Sequence, residues 1–383
     1  WTPAWGEERI SNMVRERPDW CISRQRDWGV PIVAFYCNSC AAILLQKGIV
    51  DHVASIFDQE GADAWYARDA RSLLPEGTRC AQCGGTEFRK ELDILDVWFE
   101  SGSSHLATLG IRKDLPWPAD LYIEGGDQYR GWFQSSLLVG VALLGESPYR
   151  ASITHGWTLD AEGRAMSKSK GIGIDPNLLV NQRGAELGRL LATSVNYVED
   201  IRIFDELLDR LGEAYRKIRN TCRFMIGNLS NQLDQANPNF DPVNDAVPYH
   251  EMIEIDRWAL ARTARLIKKC LRAYEEVEFH LVFSALCNFC TVDLSAFYLD
   301  VLKDRLYTFG TRSHGRRSAQ TALYHILDCF TRLIAPLLPF TAEEVYRVIP
   351  KRRDPEREPD SIHTLLFPKY EADHDRESLI QEW

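Results

Sequence analysis

The hydrophobic positions of the chain follow two rhythms. Up to about residue 204 they come in short blocks: GVPIVAFYC (29–37), LDVWF (95–99), DLYIEG (120–125) and ASITHGW (151–157). Their β-branched and aromatic content predicts strands. Between the last two, GWFQSSLLVGVALLG (131–145) is long enough for a buried helix. Strands alternating with helices predict a parallel α/β architecture, with ligands at the carboxyl ends of the strands. From about Asp205 the rhythm changes. Leu207, Leu211, Tyr215, Ile218, Cys222, Met225 and Leu229 recur at spacings of three and four, which is one face of a long amphipathic helix. Similar patterns cover 256–274, 281–302 and 319–337, and Thr341–Glu344 reads as a capping box that starts a further helix after Pro339. The predicted organisation is an α/β domain over 1–204 and an all-α bundle over 205–383.

Composition refines this only slightly. An apolar content of 45% supplies a sizeable core. No apolar run approaches the roughly 20 residues that cross a bilayer, and no secretory signal opens the chain, so a cytoplasmic location and no membrane partner are expected. The formal net charge of −10 rules out a basic coat over the whole surface but leaves room for local phosphate-binding patches. Lys268–Lys269, Arg312 with Arg316–Arg317, and Lys351 to Arg353 are candidates, although solvated helix ends and loops usually look the same.

Two strings carry chemistry. Four of the ten cysteines form two Cys-x-x-Cys pairs, Cys37/Cys40 and Cys80/Cys83, in a polar insert at about 36–92. Two such knuckles suit a tetrahedral zinc ion better than disulfides in a cytoplasmic chain. Cys287 and Cys290 have the same spacing but lie in a strong helical pattern, where core packing is favoured. The second string is GRAMSKSKG (163–171), a glycine-bracketed Ser/Lys loop able to close over a polyphosphate.

That loop, following HGW, resembles the KMSKS signature of class I aminoacyl-tRNA synthetases. Further strings resemble the isoleucyl-tRNA synthetase family in order: WCISRQRDWGVPI (20–32), LDVWFESGSSH (95–105), YIEGGDQYRGWFQSSL (122–137), ITHGWTLD (153–160), YRKIRNTCRFMIGNL (215–229), AFYLDVLKDRLYT (296–308), QTALYHI (320–326) and TAEEVY (341–346). The resemblance covers almost the whole chain. It implies a Rossmann-type catalytic half with a zinc-knuckle insert, then a helical anticodon-binding domain. It implies attachment of L-isoleucine to tRNA(Ile) through an isoleucyl-adenylate, with ATP and Mg2+ as substrate, by a monomer. Residue by residue, Lys168 would contact ATP and stabilise the pentavalent α-phosphate, with Met166, Ser167, Ser169, His155 and Gly156 beside the nucleotide. Glu124, Gly125, Asp127 and Gln128 would line the aminoacyl-adenylate site. A carboxylate there could bind the substrate ammonium and the others the ribose, while Trp98 and Trp132 would wall the aliphatic pocket. Taken alone, the two tryptophans would be read as core.

Ala165 stands where the family signature opens with lysine, which leaves the loop one cation short. No HIGH motif, editing domain or C-terminal zinc tail is seen, so the chain is expected to be an internal fragment, inactive alone. Valyl- and leucyl-tRNA synthetases are the nearest alternatives. A non-catalytic RNA-binding protein derived from a synthetase is the alternative of another class.

Overall fold

In the computed structural model, residues 1–166, 173, 175–230, 239–351 and 359–382 are described. The chain folds as two compact units, Trp1–His155 and Gly156–Trp383.

The first unit opens with helix α1 (Trp5–Arg15) and the short strand β1 (Ser23–Arg24). A three-stranded antiparallel sheet follows, in the order β3 (Ile43–Leu44), β2 (Phe35–Cys37), β4 (Phe88–Lys90). Helices α2 (Lys47–Glu60) and α3 (Ala64–Ala67) lie between β3 and β4 in sequence, and Phe35, Leu44, Val53, Trp65 and Leu73 form a small core of their own. Lys90 of β4 donates from Nζ to the carbonyls of Trp65 and Arg68, both at 2.5 Å. The strand predicted over 29–37 shrinks to Phe35–Cys37. Gly29 has φ +149°, and Pro31, which lacks an N–H, makes only an isolated bridge to Ile94.

Strand β5 (Ile94–Leu95) pairs with β1 and is at once replaced by helix α4 (Val97–Gly102), followed by α5 (Ser104–Thr108). The strand predicted over 95–99 is therefore corrected. Asp96 caps α4 by accepting from Trp98 N–H at 3.1 Å, and the cap turns the chain into a helix despite its β-rich composition. Then β6 (Ala119–Gly125), α6 (Trp132–Leu144) and β7 (Tyr149–His155) form a parallel β–α–β unit, as the alternation predicts. Ile10, Tyr122, Tyr129, Phe133 and Tyr149 build its core.

The second unit begins with β8 (Thr158–Leu159), which pairs parallel with β9 (Ile201–Arg202) across α7 (Pro176–Arg183) and α8 (Ala185–Ser194). Long helices follow: α9 (Asp205–Leu229), α10 (Glu254–Glu275), and α11 (Phe279–Asn288) running through a π-helical stretch, Phe289–Tyr298, into α12 (Leu299–Val301). After α13 (Lys303–Thr308) come α14 (His314–Ile334), α15 (Pro339–Val348) and α16 (Glu377–Glu382). From Asp205 onward no strand occurs among the described residues.

The apolar stripe of α9 does what its spacing predicts: Ile218, Cys222, Met225 and Leu229 enter a core shared with Trp258, Leu286, Leu327 and Phe330. Leu187 and Leu191 of α8 pack with Leu208 and Leu211 of α9. The expectation that no apolar run approaches bilayer length is corrected: the continuous helical segment Phe279–Val301 has the length and apolarity to cross a bilayer. Here Val282, Leu286, Phe289, Cys290 and Leu294 are buried in the bundle core, and Asp293 is paired with Arg262 at 2.7 Å. The capping box at Thr341–Glu344 is also corrected. Helix α15 starts at Pro339, the first-turn position that proline favours, so Thr341 is already helical and its N–H donates to Glu186 Oε1 at 2.7 Å.

Candidate functional site

The parallel register sets Glu124 opposite Thr154 and Gly125 opposite His155, at the carboxyl ends of β6 and β7. After Gly125 the chain makes a tight 3₁₀ turn, Gly126–Tyr129, and enters α6. Tyr129 anchors the turn from below, fully buried, with its hydroxyl 2.8 Å from Thr154 Oγ1. Helix α1 packs onto that hydroxyl at Gly6, where a Cβ would lie 2.2 Å from it. With the turn fixed, Glu124 and Asp127 remain exposed at its rim. Gln128 folds back over the start of α6: its Oε1 accepts from Trp132 N–H at 3.0 Å, and its Nε2 donates to Asp127 Oδ2 at 3.0 Å.

Two tryptophans stand beside this turn. Trp132 stacks on Tyr122 with centroids 4.0 Å apart and rings within 7° of parallel, and its Nε1 donates to Ser101 O at 3.0 Å. Trp98 comes from α4, which sits close to α6 because Gly102 carries no side chain; a Cβ there would lie 2.9 Å from the Ser135 backbone. Trp98 remains 42% exposed, so it is available to a ligand. The structure therefore brings Glu124, Gly125, Asp127, Gln128, Trp98, Trp132 and His155 together within the first unit. A carboxylate pair, amide groups and aromatic surface at a strand end can bind an ammonium and a small aliphatic group.

Gly156 belongs to the second unit. Its N–H donates to Tyr197 O at 2.8 Å, and a Cβ would lie 2.4 Å from the Glu199 carbonyl, so the position requires glycine. A turn over 160–164 precedes the signature string. Asp160 accepts from the N–H and from Nε of Arg164, both at 2.7 Å, and these bonds, the backbone one foremost, hold its carboxyl below the usual carboxylate range. Gly163 takes φ +80° there, and exposed Ala165 bridges to Leu159. Met166 is half-buried. Ser167, Lys168 and Ser169, with Lys170 and Gly171, lie outside the described residues.

The sulfurs of Cys37, Cys40, Cys80 and Cys83 all lie within 4.8 Å of one another. Cys37 and Cys83 sulfurs are 3.5 Å apart, and those of Cys40 and Cys80 3.6 Å. Tetrahedral zinc with bonds of about 2.3 Å needs sulfurs roughly 3.8 Å apart, so the set can hold such an ion with little movement. The two knuckles repeat one backbone pattern. Ala41 N–H donates to Cys37 O at 2.9 Å and Cys37 N–H to Ala42 O at 2.9 Å; Gly84 N–H donates to Cys80 O at 2.8 Å and Cys80 N–H to Gly85 O at 2.8 Å. Each turn needs a left-handed residue, Ala41 at φ 61° and Gly84 at φ 71°. The backbone N–H groups of Ser39 and Cys40 pull the Cys37 thiol down to about 6. The Gly85 N–H pulls the same way on Cys83, but the neighbouring Cys40 and Cys37 thiols outweigh it and Cys83 rises to about 12. A cluster that already favours thiolate at one sulfur suits a cation.

Several residues that matter here escaped the sequence reading. Asp96, buried, accepts from Trp20 Nε1 at 2.9 Å and pairs with Arg24 at 2.5 Å, which ties the segment around 20–24 to the start of the Trp98 helix. Its only sequence signal was an aspartate just before a short apolar run, a usual cap position. On α9, Arg216, Lys217, Arg219 and Arg223 are exposed and form no ion pair among the described residues. Of the basic patches that were proposed, Arg317 is paired with Asp245 at 3.0 Å, Lys268 lies over Tyr370, and Arg352 and Arg353 fall outside the described residues.

The family profile "tRNA synthetases class I (I, L, M and V)" matches residues 1–204, and "Anticodon-binding domain of tRNA ligase" matches 256–383. The isoleucine–tRNA ligase of Moorella thermoacetica is 49% identical over 383 residues, and that of Syntrophotalea carbinolica 50% over 382. In both, the match takes in all of this chain but 40% of the relative's length. Among solved structures, the LeuRS–tRNA–LeuAMS ternary complex of Agrobacterium radiobacter K84 superposes with a TM-score of 0.67 at 18% identity, covering 98% of this chain and 46% of that one. Mycobacterium tuberculosis methionyl-tRNA synthetase bound by methionyl-adenylate gives 0.59 at 18% identity, covering 88% and 56%. At that identity the likeness is one of fold. The profile over residues 1–204 makes this chain a member of the class I tRNA synthetase family that groups the I, L, M and V enzymes.

Proposed function

We propose that the chain is the second half of the catalytic domain (1–204) and the helical tRNA-reading domain (205–383) of an isoleucine–tRNA ligase. The observation that carries the reading is the cluster at the end of β6 and β7, where exposed Glu124 and Asp127 face solvent beside Trp98 and Trp132. The identity of 49–50% across the chain to isoleucine–tRNA ligases supports isoleucine over valine or leucine.

In this reading one carboxylate of the Glu124–Gln128 turn binds the ammonium of L-isoleucine and the tryptophans take its side chain. The amino acid carboxylate is already a nucleophile. It attacks the α-phosphorus of ATP, and the bond to the β-phosphate bridging oxygen breaks, giving isoleucyl-adenylate and pyrophosphate. No acid–base pair is needed; the work is orientation and charge neutralisation. Lys168 stabilises the α-phosphate as charge grows, Ser167, Ser169 and Met166 hold the loop on ATP, and His155 and Gly156 flank the nucleotide. ATP enters as its Mg2+ complex. A terminal ribose hydroxyl of tRNA(Ile) then takes the acyl group and AMP leaves. The exposed cations of α9 suit RNA phosphates. Zinc, held by Cys37, Cys40, Cys80 and Cys83, would organise the insert without entering the chemistry. We further place the enzyme in the cytoplasm as a monomer.

The test is amino-acid-dependent ATP–pyrophosphate exchange by the full-length protein that carries this chain. Exchange driven by isoleucine well above valine or leucine is expected. Exchange driven best by another amino acid would reassign the substrate. ATP-independent RNA binding without exchange would favour a non-catalytic RNA-binding protein, the reading that exposed Ala165 in place of lysine invites.

A further inference from the structure

Gly131 lies between the two halves of the proposed aminoacyl site and touches both. A Cβ built there would lie 2.7 Å from Trp98 Cζ3, 2.9 Å from Trp98 Cη2 and 2.6 Å from Gln128 Oε1. The first two atoms are the outer edge of the indole, and the third is the amide oxygen that accepts from Trp132 N–H. All three meet at one hydrogen-sized gap at the start of α6. Gln128 is held at both ends of its amide, by Trp132 N–H and by Asp127. Trp98 meets Gly131 at this indole edge and is 42% exposed.

We infer that Gly131 is a specificity-setting residue: the missing side chain lets Trp98 seat back against α6, and this sets the depth of the pocket for the substrate side chain. The inference rests on the isoleucine reading above. Ordinary contact begins near 3.4 Å, so a methyl at 131 would push the indole edge outward by about 0.7 Å, towards the space a ligand side chain would fill. A larger aliphatic group suffers more from a shallower pocket than a smaller one does. Valine, one methylene shorter than isoleucine, is the natural probe.

The experiment is ATP–pyrophosphate exchange with the full-length protein, comparing isoleucine with valine for the wild type, Gly131→Ala, Trp98→Phe and the double variant. Gly131→Ala is expected to lower kcat/KM for isoleucine about tenfold, chiefly through KM, and for valine much less, because one methylene in such a pocket is worth about 10–200-fold. The Trp98→Phe change removes the outer indole edge. In that background Gly131→Ala should therefore cost only about twofold, the remainder coming from Gln128. Three results overturn the inference: an equal loss for both amino acids, a loss confined to kcat, or a Gly131→Ala penalty as large with Trp98→Phe as without it. If Gly131→Ala alone does not fold, the double variant read against Trp98→Phe alone still decides: a further loss for isoleucine of about twofold is expected, and a loss of about tenfold overturns the inference. Absence of isoleucine-dependent exchange in the wild type would instead refute the functional reading on which this one rests.

Discussion

Single residues carry the sharpest expectations. The knuckle turns differ at one position: Gly84 takes its left-handed conformation freely, whereas Ala41 takes φ 61° against its Cβ. That conformation costs an L-residue about 1 kcal/mol or more. Ala41→Gly should therefore stabilise the insert by up to about 1 kcal/mol, and Gly84→Ala should destabilise it by a similar amount. Thermal melts of the two variants read this directly, and equal effects of one sign would contradict it. At Gly85 the constraint is space: a Cβ would sit 3.3 Å from both the Cys37 and Cys83 sulfurs, so Gly85→Ala should weaken metal retention against a chelator. On the proposed function, in the signature loop of the full-length protein, Lys168→Ala should slow adenylate formation far more than it weakens isoleucine binding, since the ammonium acts most on charge that appears in the transition state. Ala165→Lys should accelerate the same step. An unchanged exchange rate constant in Lys168→Ala, with only the apparent isoleucine constant raised, would remove the role given to the loop.

At the scale of elements, short polar anchors decide where helices begin. Asp96 serves the α4 cap, Trp20 and Arg24 at once, from a buried position. Asp96→Ala would leave a guanidinium and an indole N–H without their acceptor, a loss of about 3 kcal/mol. Asp96→Asn keeps an acceptor for the cap and should lose less. Urea unfolding curves order the two, and equal losses would show that the retained acceptor contributes nothing and that the Arg24–Asp96 ion pair carries the whole effect. In the bundle, Asp256 is fully buried and accepts from Tyr298 hydroxyl at 2.8 Å, Arg305 Nη2 at 2.7 Å and Ser318 Oγ at 2.5 Å, linking α10, the π-helical stretch, α13 and α14. Long helices were legible from their period because a buried stripe repeats over many turns. The strand over 95–99 was misread because one capping carboxylate outweighs β propensity across five residues, and the start of α15 was misplaced because proline sets a first turn more firmly than a capping pattern does.

For the whole molecule the expectations concern metal and RNA. Purified protein should carry one zinc per chain. Its removal should unfold the insert at about 36–92, whose own core is small, while the helical unit keeps its circular dichroism. Metal-free protein with the insert intact would defeat this. The α9 cations should bind RNA through counterion release, so tRNA affinity should fall steeply with salt. Replacing Arg216, Lys217, Arg219 or Arg223 singly with alanine should reduce the log–log salt slope by about 0.7–0.9 wherever that side chain meets a phosphate. Unchanged slopes for all four would move the RNA surface elsewhere.

Local and repeating signals sufficed for much of this. The cysteine pairs, the β6–α6–β7 alternation, the α9 stripe and the family strings could all be read because each depends on spacing within a few turns or residues. Other features needed the chain folded. The family strings name Glu124, Gln128, Trp98 and His155, but what brings them close is a parallel register and a helix crossing that join residues 57 apart in sequence, an approach that nothing in their local composition encodes. The need for glycine at 131, like that at 102 and 6, is likewise set by atoms from distant segments, because the permitted volume at a position belongs to its neighbours in space and not to its neighbours along the chain.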